Sequence, residues 1–415
     1  MKDISSTSNN WKKNIILFLT SQTISLLGSS LVQYAIIWYI TMTTQSGIMM
    51  TISIICGFIP TFFLSPFAGV WADRYNRKVL IMVSDSLIAL ATLIMAILFM
   101  WGYDSMWLLF VVLAIRALGT AVQTPTVGAF IPQIVPQENL TKVNGINGSI
   151  QALVMLASPM ISGALMSVAS IKAIFFIDVF TAIIGVLVLL LFVNVPVHSK
   201  AVNKQSMGYF KDFHEGLIYT KNHKYLKTFF IFEAVFFILA APAAFLTPLQ
   251  VTRTFGNDVW RLTAIEIVFS AGMSLGGIII ASWGGFKNKA YTMALSTLIT
   301  GICTIVLGIV PVFWIYLFFM GAIGLSMPAF NIPATVLLQE KVEEEYMGRV
   351  FGVMSMITSS MMPAGMLLFG PLADYIRIEW LLRVTGLFIV VIGIALYLNK
   401  VLLEAGKPSV KDINK

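Results

Sequence analysis

The sequence GVWADRYNRK, at residues 69–78, sets one acid and three bases between two long apolar runs. The run before it, TISIICGFIPTFFLSPFA (51–68), has no charged residue, and the run after it, VLIMVSDSLIALATLIMAILFMW (79–101), has one. An apolar helix of about 20 residues is long enough to cross the hydrocarbon core of a bilayer. The pattern therefore predicts two membrane-spanning helices joined by a short charged loop.

The composition of the whole chain extends this prediction. Of its 415 residues, 58% are hydrophobic and only 11% are charged, whereas a soluble protein has about 25% charged residues. The apolar runs lack the alternation of a membrane-spanning strand, which favours a bundle of helices over a β-barrel. We therefore predict an all-α integral membrane protein.

Twelve apolar stretches are each predicted to form a transmembrane helix. They lie at 14–41, 48–71, 79–101, 105–133, 139–168, 171–194, 225–250, 262–283, 289–309, 312–338, 346–373 and 378–402. The predicted domains are an N-terminal six-helix half (1–197), a cytoplasmic linker (198–224) and a C-terminal six-helix half with a cytoplasmic tail (225–415).

Lysines and arginines are concentrated in alternate loops. If the N-terminus is cytoplasmic, the inner side receives most of them, including Lys12, Lys13, Arg74, Arg77 and Lys78, as the positive-inside rule requires. Both termini and the linker are then expected in the cytoplasm. Because the net charge of +8 follows from topology, no nucleic-acid partner is expected. The expected location is the plasma membrane of a bacterium.

The two halves share short internal matches. VPQENLTKVNG (135–145) aligns with VEEEYMGRVFG (342–352), and WADRYNRK (71–78) aligns more weakly with WGGFKNKA (283–290). Two six-helix pseudo-repeats in parallel are a known transporter architecture, with the substrate site expected between the repeats. The matches therefore favour two such halves.

The charged loop also carries a family signature. It resembles the loop 2–3 motif of the major facilitator superfamily, G-x-x-x-D-R-x-x-R-K. The matching positions are Gly69, Asp73, Arg74, Arg77 and Lys78. Asn76 stands where the motif usually has glycine. The resemblance implies that these residues form a conformational latch, in which Asp73 bridges to span eleven of the other half in the outward-facing state.

Four further stretches resemble the macrolide-efflux (Mef-type) branch of drug:proton antiporters. They are SQTISLLGSSLVQYAIIWYIT (21–41), AIRALGTAVQTPTVGAFIPQIVPQENLT (114–141), IDVFTAIIG (177–185) and TAIEIVFSAGMSLGG (263–277). This resemblance implies export of a macrolide-like compound in exchange for protons. The same branch includes siderophore exporters.

Two efflux motifs are degraded in this sequence. The arginine motif of span four usually has glycine four residues after the arginine, but Arg116 is followed by Gly119 at three and Thr120 at four. The antiporter motif of span five, G-P-x-x-G-G, is reduced to SPMISG at 158–163. Export is thus a firmer expectation than proton exchange.

Charged residues within the bilayer are candidates for proton coupling, because an intramembrane charge costs at least a few kcal/mol. The candidates are Asp178, Glu266, Glu233 and Arg116. A buried carboxyl group can take a proton on one side of the membrane and release it on the other. Arg116 would supply a fixed positive charge that influences proton or substrate binding.

Each candidate also has a structural alternative. Arg116 would bind backbone carbonyl groups, and Asp178 would form a hydrogen bond between helices. Glu266 would pair with Arg261 or Arg253, while Glu233 would pair with Lys227 or another inner base. Asp85 is expected to pair with the bases of loop 2–3 rather than to carry a proton.

Uncharged amides within the spans are candidates for lining a substrate cavity. They are Gln33, Gln123, Asn147, Gln151 and Asn331, with Gln22 as a further member. Amides can bind sugar or lactone oxygens, and they can equally hold helices together.

The sequence therefore predicts a secondary active exporter working by rocker-switch alternating access. Its expected partners are the lipid bilayer, a small amphipathic substrate and protons, with the need for a separate ATPase subunit left open. The chain contains no Walker motif, and no cofactor, metal site or enzymatic activity is expected. The alternatives are an exporter of a siderophore or other metabolite, and a non-transporting membrane sensor on the same scaffold.

Overall fold

The computed structural model describes residues 4–193, 218–343 and 346–407, with the backbone alone at 4–10, 65–66, 69–70, 73–74, 141 and 348. Every regular element in these ranges is helical. The helices are α1 (Ile4–Thr44), α2 (Gly47–Arg74), α3 (Arg77–Met100), α4 (Met106–Ile134), α5 (Leu140–Val168), α6 (Ile171–Phe192), α7 (Lys224–Phe245), α8 (Thr247–Thr254), α9 (Val259–Trp283), α10 (Lys289–Leu307), α11 (Phe313–Lys341), α12 (Met347–Tyr375), α13 (Ile378–Leu398) and α14 (Lys400–Ala405).

Among the described residues there are twelve helical spans long and apolar enough to cross a membrane, which confirms the predicted all-α membrane fold. Helix α3 shows why these helices need lipid. Ile81 and Ile88 face the protein interior, whereas Val83 and Leu90 are 59% and 54% exposed. A helix that is apolar on both its inner and its outer face is stable when lipid covers the outer one.

Two predicted spans differ from the observed helices at their ends. The stretch 225–250 is broken, because α7 ends at Phe245 and the short α8 begins at Thr247, with Pro248 in its first turn. Proline lacks an N–H and therefore favours the first turn of a new helix. The stretch 378–402 is also divided. Asn399 accepts hydrogen bonds from the N–H groups of Val401 and Leu402, both at 3.1 Å, and so starts α14.

The chain forms two compact units. The first comprises Met1–Ile40 and Ile52–Gln205, and the second comprises Thr41–Thr51 and Ser206–Lys415, each over its described residues. Most of the predicted linker, 198–224, lies outside the described ranges. One core of the first unit contains Phe18, Ile81, Phe130 and Leu189. One core of the second contains Phe229, Met293, Phe330 and Leu396.

The internal repeat is visible in the helix caps. The Asn76 side chain accepts a hydrogen bond from the Lys78 N–H at 3.0 Å and starts α3, and Asn288 accepts one from Ala290 N–H at 3.0 Å and starts α10. Asparagine is among the best residues for satisfying the free N–H groups of a helix start. This capping bond gives Asn76, which stands where the family motif usually has glycine, a structural role at the start of α3.

Candidate functional site

A buried ion pair lies inside the first unit. Arg116 Nη1 is 2.6 Å from Asp178 Oδ2, and the Asp178 side chain is wholly buried. Thr92 donates to Asp178 Oδ2 at 2.9 Å, and Ser29 donates to Oδ1 at 3.1 Å. Arg116 Nη2 also donates to the Ser29 carbonyl oxygen at 2.9 Å. The structural alternatives foreseen for both residues are therefore observed, and one network joins α1, α3, α4 and α6.

Gly119 allows α3 and α4 to approach closely beside this network. A Cβ atom at Gly119 would lie 2.5 Å from Ile88 Cγ1 and 3.2 Å from the Ser84 carbonyl oxygen. Carbon contacts this short require the neighbouring atoms to move. Gly119 lies one position before the place of the motif glycine. It thus has a packing role about one turn after Arg116.

Asp85 does not pair with the bases of loop 2–3, so that expectation was wrong. Its side chain is buried, and Gln123 Nε2 donates to its Oδ1 at 2.8 Å while Gln22 Nε2 lies 3.4 Å from its Oδ2. Seven residues separate Asp85 from the bases of the loop, about two turns of helix. The amides of α1 and α4 are nearer, because they project from the helices that pack on α3.

Two bases of the loop, Arg77 and Lys78, donate to main-chain oxygens. Arg77 donates to the carbonyl oxygens of Ala72 at 2.9 Å and Ala129 at 3.0 Å. Lys78 Nζ donates to the Val193 carbonyl oxygen at 2.8 Å, just after α6 ends. Helix C-termini carry unpaired carbonyl groups that attract cations. Of the other motif residues, Gly69, Asp73 and Arg74 are described in backbone alone.

A cavity of about 650 Å³ lies within the first unit, in the usual size range of small-molecule sites. Its lining includes four of the predicted amides, Gln22, Gln123, Asn147 and Gln151. Gln33 does not line this cavity and is exposed. Asn331 belongs to the second unit and is also exposed. The structure thus collects the amides of α1, α4 and α5 and leaves the other two outside.

Glu233 is a buried acid in the second unit. Its side chain is 1% exposed, and neither carboxylate oxygen has a hydrogen-bond partner among the described residues. The expected ion pair with Lys227 is absent from this part of the chain, and Lys227 is exposed. Since an unpaired carboxylate is strongly disfavoured in an apolar setting, Glu233 is suited to hold a proton.

Glu266 lines a second cavity, of about 140 Å³, within the second unit. Its neighbours there are mostly apolar and include Ala240, Phe269, Met320 and Met362. The expected partners are engaged elsewhere: Arg261 pairs with Asp258, and Arg253 pairs with Asp374 at 3.0 Å. Across the described residues, Glu266 has no hydrogen-bond or ion-pair partner.

Asp374 is a polar residue with a structural role that the sequence did not reveal. Its carboxylate accepts hydrogen bonds from the N–H groups of Gly47 at 2.7 Å and Ile48 at 2.9 Å, and from the Ser46 hydroxyl at 2.8 Å. It therefore caps the start of α2, within the second unit. One signal could have found it: Ala373-Asp374 ends span eleven as Ala72-Asp73 ends span two.

Comparisons with known proteins identify the family. A profile of the Major Facilitator Superfamily matches residues 18–366. The chain belongs to the Major Facilitator Superfamily. Macrolide efflux protein A of Streptococcus pyogenes is 31% identical over 93% of this chain and 96% of that protein. The staphyloferrin A transporter of Staphylococcus aureus is 23% identical over 92% and 94%.

The solved structures agree on the fold. A bacterial homologue of the human lysosomal transporter Spinster, 14% identical, covers 97% of this chain and 99% of its own with a TM-score of 0.70. With twelve apolar helices among its described residues and with bacterial relatives, this superfamily member is a multi-pass transporter of the bacterial plasma membrane. The superfamily and its Mef-type relatives were both predicted from the sequence, and both are confirmed.

Proposed function

We propose that this transporter exports a macrolide-like amphipathic compound from the cell in exchange for protons. The cargo is inferred from the 31% identity to macrolide efflux protein A over 93% of the chain. The cavity of the first unit supports it, because its volume of about 650 Å³ and its four amides suit a large molecule with many oxygens. Transport is proposed to proceed by rocker-switch alternating access.

Glu266 and Glu233 are the proposed proton carriers. Glu266 combines an apolar cavity with the lack of an ion-pair partner in the described chain, and Glu233 has no hydrogen-bond partner there. An acid without a cation partner can change its protonation state without breaking an ion pair. Driving force would then come from the proton gradient, with no separate ATPase subunit.

Asp178 and Arg116 have a different proposed role in coupling. Their ion pair must open before Asp178 can take a proton, since Arg116 lies 2.6 Å away. In this proposal the pair does not carry the proton itself. It responds to the proton cycle through the helices that its network joins, α1, α3, α4 and α6. The network stabilises these helices whether or not the pair takes part in coupling.

The latch role of the loop 2–3 residues remains a proposal. The bonds that Arg77 and Lys78 make to carbonyl oxygens hold α2, α4 and α6 together where the loop begins. Asp73→Asn should slow transport without preventing membrane insertion. Normal transport by Asp73→Asn, at equal amounts of inserted protein, would remove the latch from the scheme.

The experiment that tests the proposed function measures erythromycin accumulation in a pump-deleted bacterial host. Cells expressing the wild type should accumulate less drug than cells with empty vector, and a protonophore should abolish the difference. Glu266→Gln should behave as the empty vector, whereas Glu404→Gln, a change of an exposed acid in α14, should behave as the wild type. Accumulation unaffected by the wild-type protein would reject macrolide export.

A siderophore is the second candidate cargo, favoured by the 23% identity to the staphyloferrin A transporter. The same host can be loaded with staphyloferrin A in place of erythromycin. Export of the siderophore, without any effect on erythromycin, would assign this cargo instead. If neither compound moves in a wider panel, a non-transporting membrane sensor becomes the better assignment.

A further inference from the structure

Asp85 is a buried carboxylate that the coupling scheme above does not use. It is 2% exposed, and amides rather than cations donate to it in the described part of the chain. A carboxylate inside a membrane protein is costly, and one without a counter-ion marks a candidate site for protons or substrate. Asp85 therefore needs a functional explanation, which its neighbours supply.

The two amides that hold Asp85 also line the cavity of the first unit. Gln123 Nε2 donates both to Asp85 Oδ1 at 2.8 Å and to Gln22 Oε1 at 3.3 Å, so the three side chains form one network. Gln123 Oε1 accepts no hydrogen bond from the described residues. Gln123 Oε1 is thus the acceptor of this network that remains free to bind a donor, and Gln123 lines the cavity.

The charged groups on the surrounding helices leave Asp85 without a cation. Arg116, the one charged residue of α4, is paired with Asp178 of α6. The charge of Asp178 also acts on Asp85, and the Ser25 hydroxyl faces Asp85 from α1. The other charged or titratable groups on these helices are Lys12, Lys13, Tyr34 and Tyr39 on α1, Cys56, Asp73 and Arg74 on α2, Arg77 and Lys78 on α3, Lys142 on α5, and Lys172 on α6.

We propose that Gln22, Gln123 and Asp85 form a proton-switched recognition site for a hydrogen-bond donor of the substrate, a protonated amine or a hydroxyl group. When Asp85 is ionised, its oxygens hold the NH₂ groups of both amides. The carbonyl oxygen of Gln123 can then accept a hydrogen bond from the substrate. In the structure the NH₂ groups of both amides lie against the carboxylate oxygens, as this state requires.

A proton on Asp85 reverses the polarity of the site. The carboxyl group then has an O–H donor and one fewer acceptor position. The O–H donates to the carbonyl oxygen of Gln123, and the NH₂ group of Gln123 turns toward the cavity. Because the cavity now presents a donor, it no longer binds the donor of the substrate, so proton and substrate exclude each other.

Mutual exclusion at one site supplies the coupling that an antiporter requires, because each ligand lowers the affinity for the other by the same factor. This inference rests on the proposed function and adds a proton site in the first unit to those proposed in the second. It also names the chemical group that the cargo must carry.

The first test measures erythromycin binding to the full-length protein in lipid nanodiscs, at acidic and at alkaline pH. Wild-type affinity should fall by about tenfold on acidification, equivalent to about 1.4 kcal/mol. Asp85→Asn fixes a neutral donor at this position, so its affinity should be low at both pH values. Glu404→Gln should match the wild type and controls for the loss of an acid elsewhere, whereas titration of erythromycin itself would persist in Asp85→Asn. Wild-type pH dependence in Asp85→Asn would overturn the proposal.

A second measurement needs no cargo and covers a folding failure of Asp85→Asn. Infrared difference spectra on acidification should show a shift of a side-chain amide band together with new carboxylic acid bands, to which Glu233 and Glu266 also contribute, so the amide shift is the signature of the switch. Gln123→Met should keep the acid bands and lose the amide shift. An acid band without any amide change in the wild type would overturn the switch. If erythromycin does not bind the wild type at all, macrolide export fails, and the infrared result alone decides the switch.

Discussion

Arg116 and Asp178 neutralise each other in the interior of the first unit, with Nη1 and Oδ2 2.6 Å apart. Both residues stood out in the sequence as costly intramembrane charges. As a pair they cost much less, because each supplies the opposite charge that the other needs.

Breaking this pair should destabilise the protein. Removing one partner of a buried ion pair costs about 3–5 kcal/mol, because a charge is left unpaired. Asp178→Asn and Arg116→Gln should each show this loss in unfolding of the purified protein, and the double variant should lose less than their sum. The matched control is Lys289–Glu340, a partly exposed pair at 2.7 Å, for which a coupling of about 0–1 kcal/mol is expected. Equal coupling for both pairs would contradict this reading.

Replacement of Glu233 should abolish transport without lowering the thermal stability of the protein. Its carboxylate oxygens lack partners in the described chain, so Glu233→Met removes a buried polar group without breaking a bond. We expect thermal stability equal to or above the wild type, together with loss of proton-driven efflux. Glu404→Met, at an exposed position of α14, should change neither. A destabilised Glu233→Met would indicate that this acid has a structural partner.

Gly119 should tolerate no side chain unless Ile88 is replaced by a smaller residue. The added Cβ of Gly119→Ala would meet Ile88 Cγ1 at 2.5 Å, and overpacking of this kind costs about 1–3 kcal/mol. Adding Ile88→Ala should recover part of the loss in thermal unfolding. Gly128→Ala is the control on the same helix, since a Cβ there meets nothing within 4 Å. If Ile88→Ala does not recover any of the lost stability, the strain of Gly119→Ala does not arise from its contact with Ile88.

Asp374→Ala should weaken the start of α2. The carboxylate bonds two N–H groups and one hydroxyl there, and loss of such a cap costs about 0.5–2 kcal/mol. Asp258→Ala is the control, because Asp258 precedes α9 without making a capping bond. The difference between the two variants in thermal unfolding measures the cap. Indistinguishable losses would argue against it.

The sequence was sufficient for the fold because lipid imposes a simple rule. Each span needs a long apolar run, and a charged loop such as 69–78 marks where one run ends. The breaks at Leu246 and Asn399 escaped detection because each of the two stretches is apolar on average, and average hydropathy does not register where one helix ends and the next begins.

The partners of the buried acids were much harder to predict. Asp85 was expected to pair with the bases nearest in sequence, yet its partners are Gln22 and Gln123, which are 63 and 38 residues away. Hydropathy gives the depth of a residue in the bilayer but not the face of the helix on which it lies. Asp374 was missed for a related reason, since an acid at the end of a span looks like an ordinary solvated residue.

The cavity around Glu266 sets a limit on what that acid can meet. A volume of about 140 Å³ has room for a few water molecules but not for a macrolide. Size alone therefore excludes a macrolide from Glu266, whereas water and protons fit there. Glu266 would then take its proton apart from the cargo, whereas the site at Asp85 would meet both.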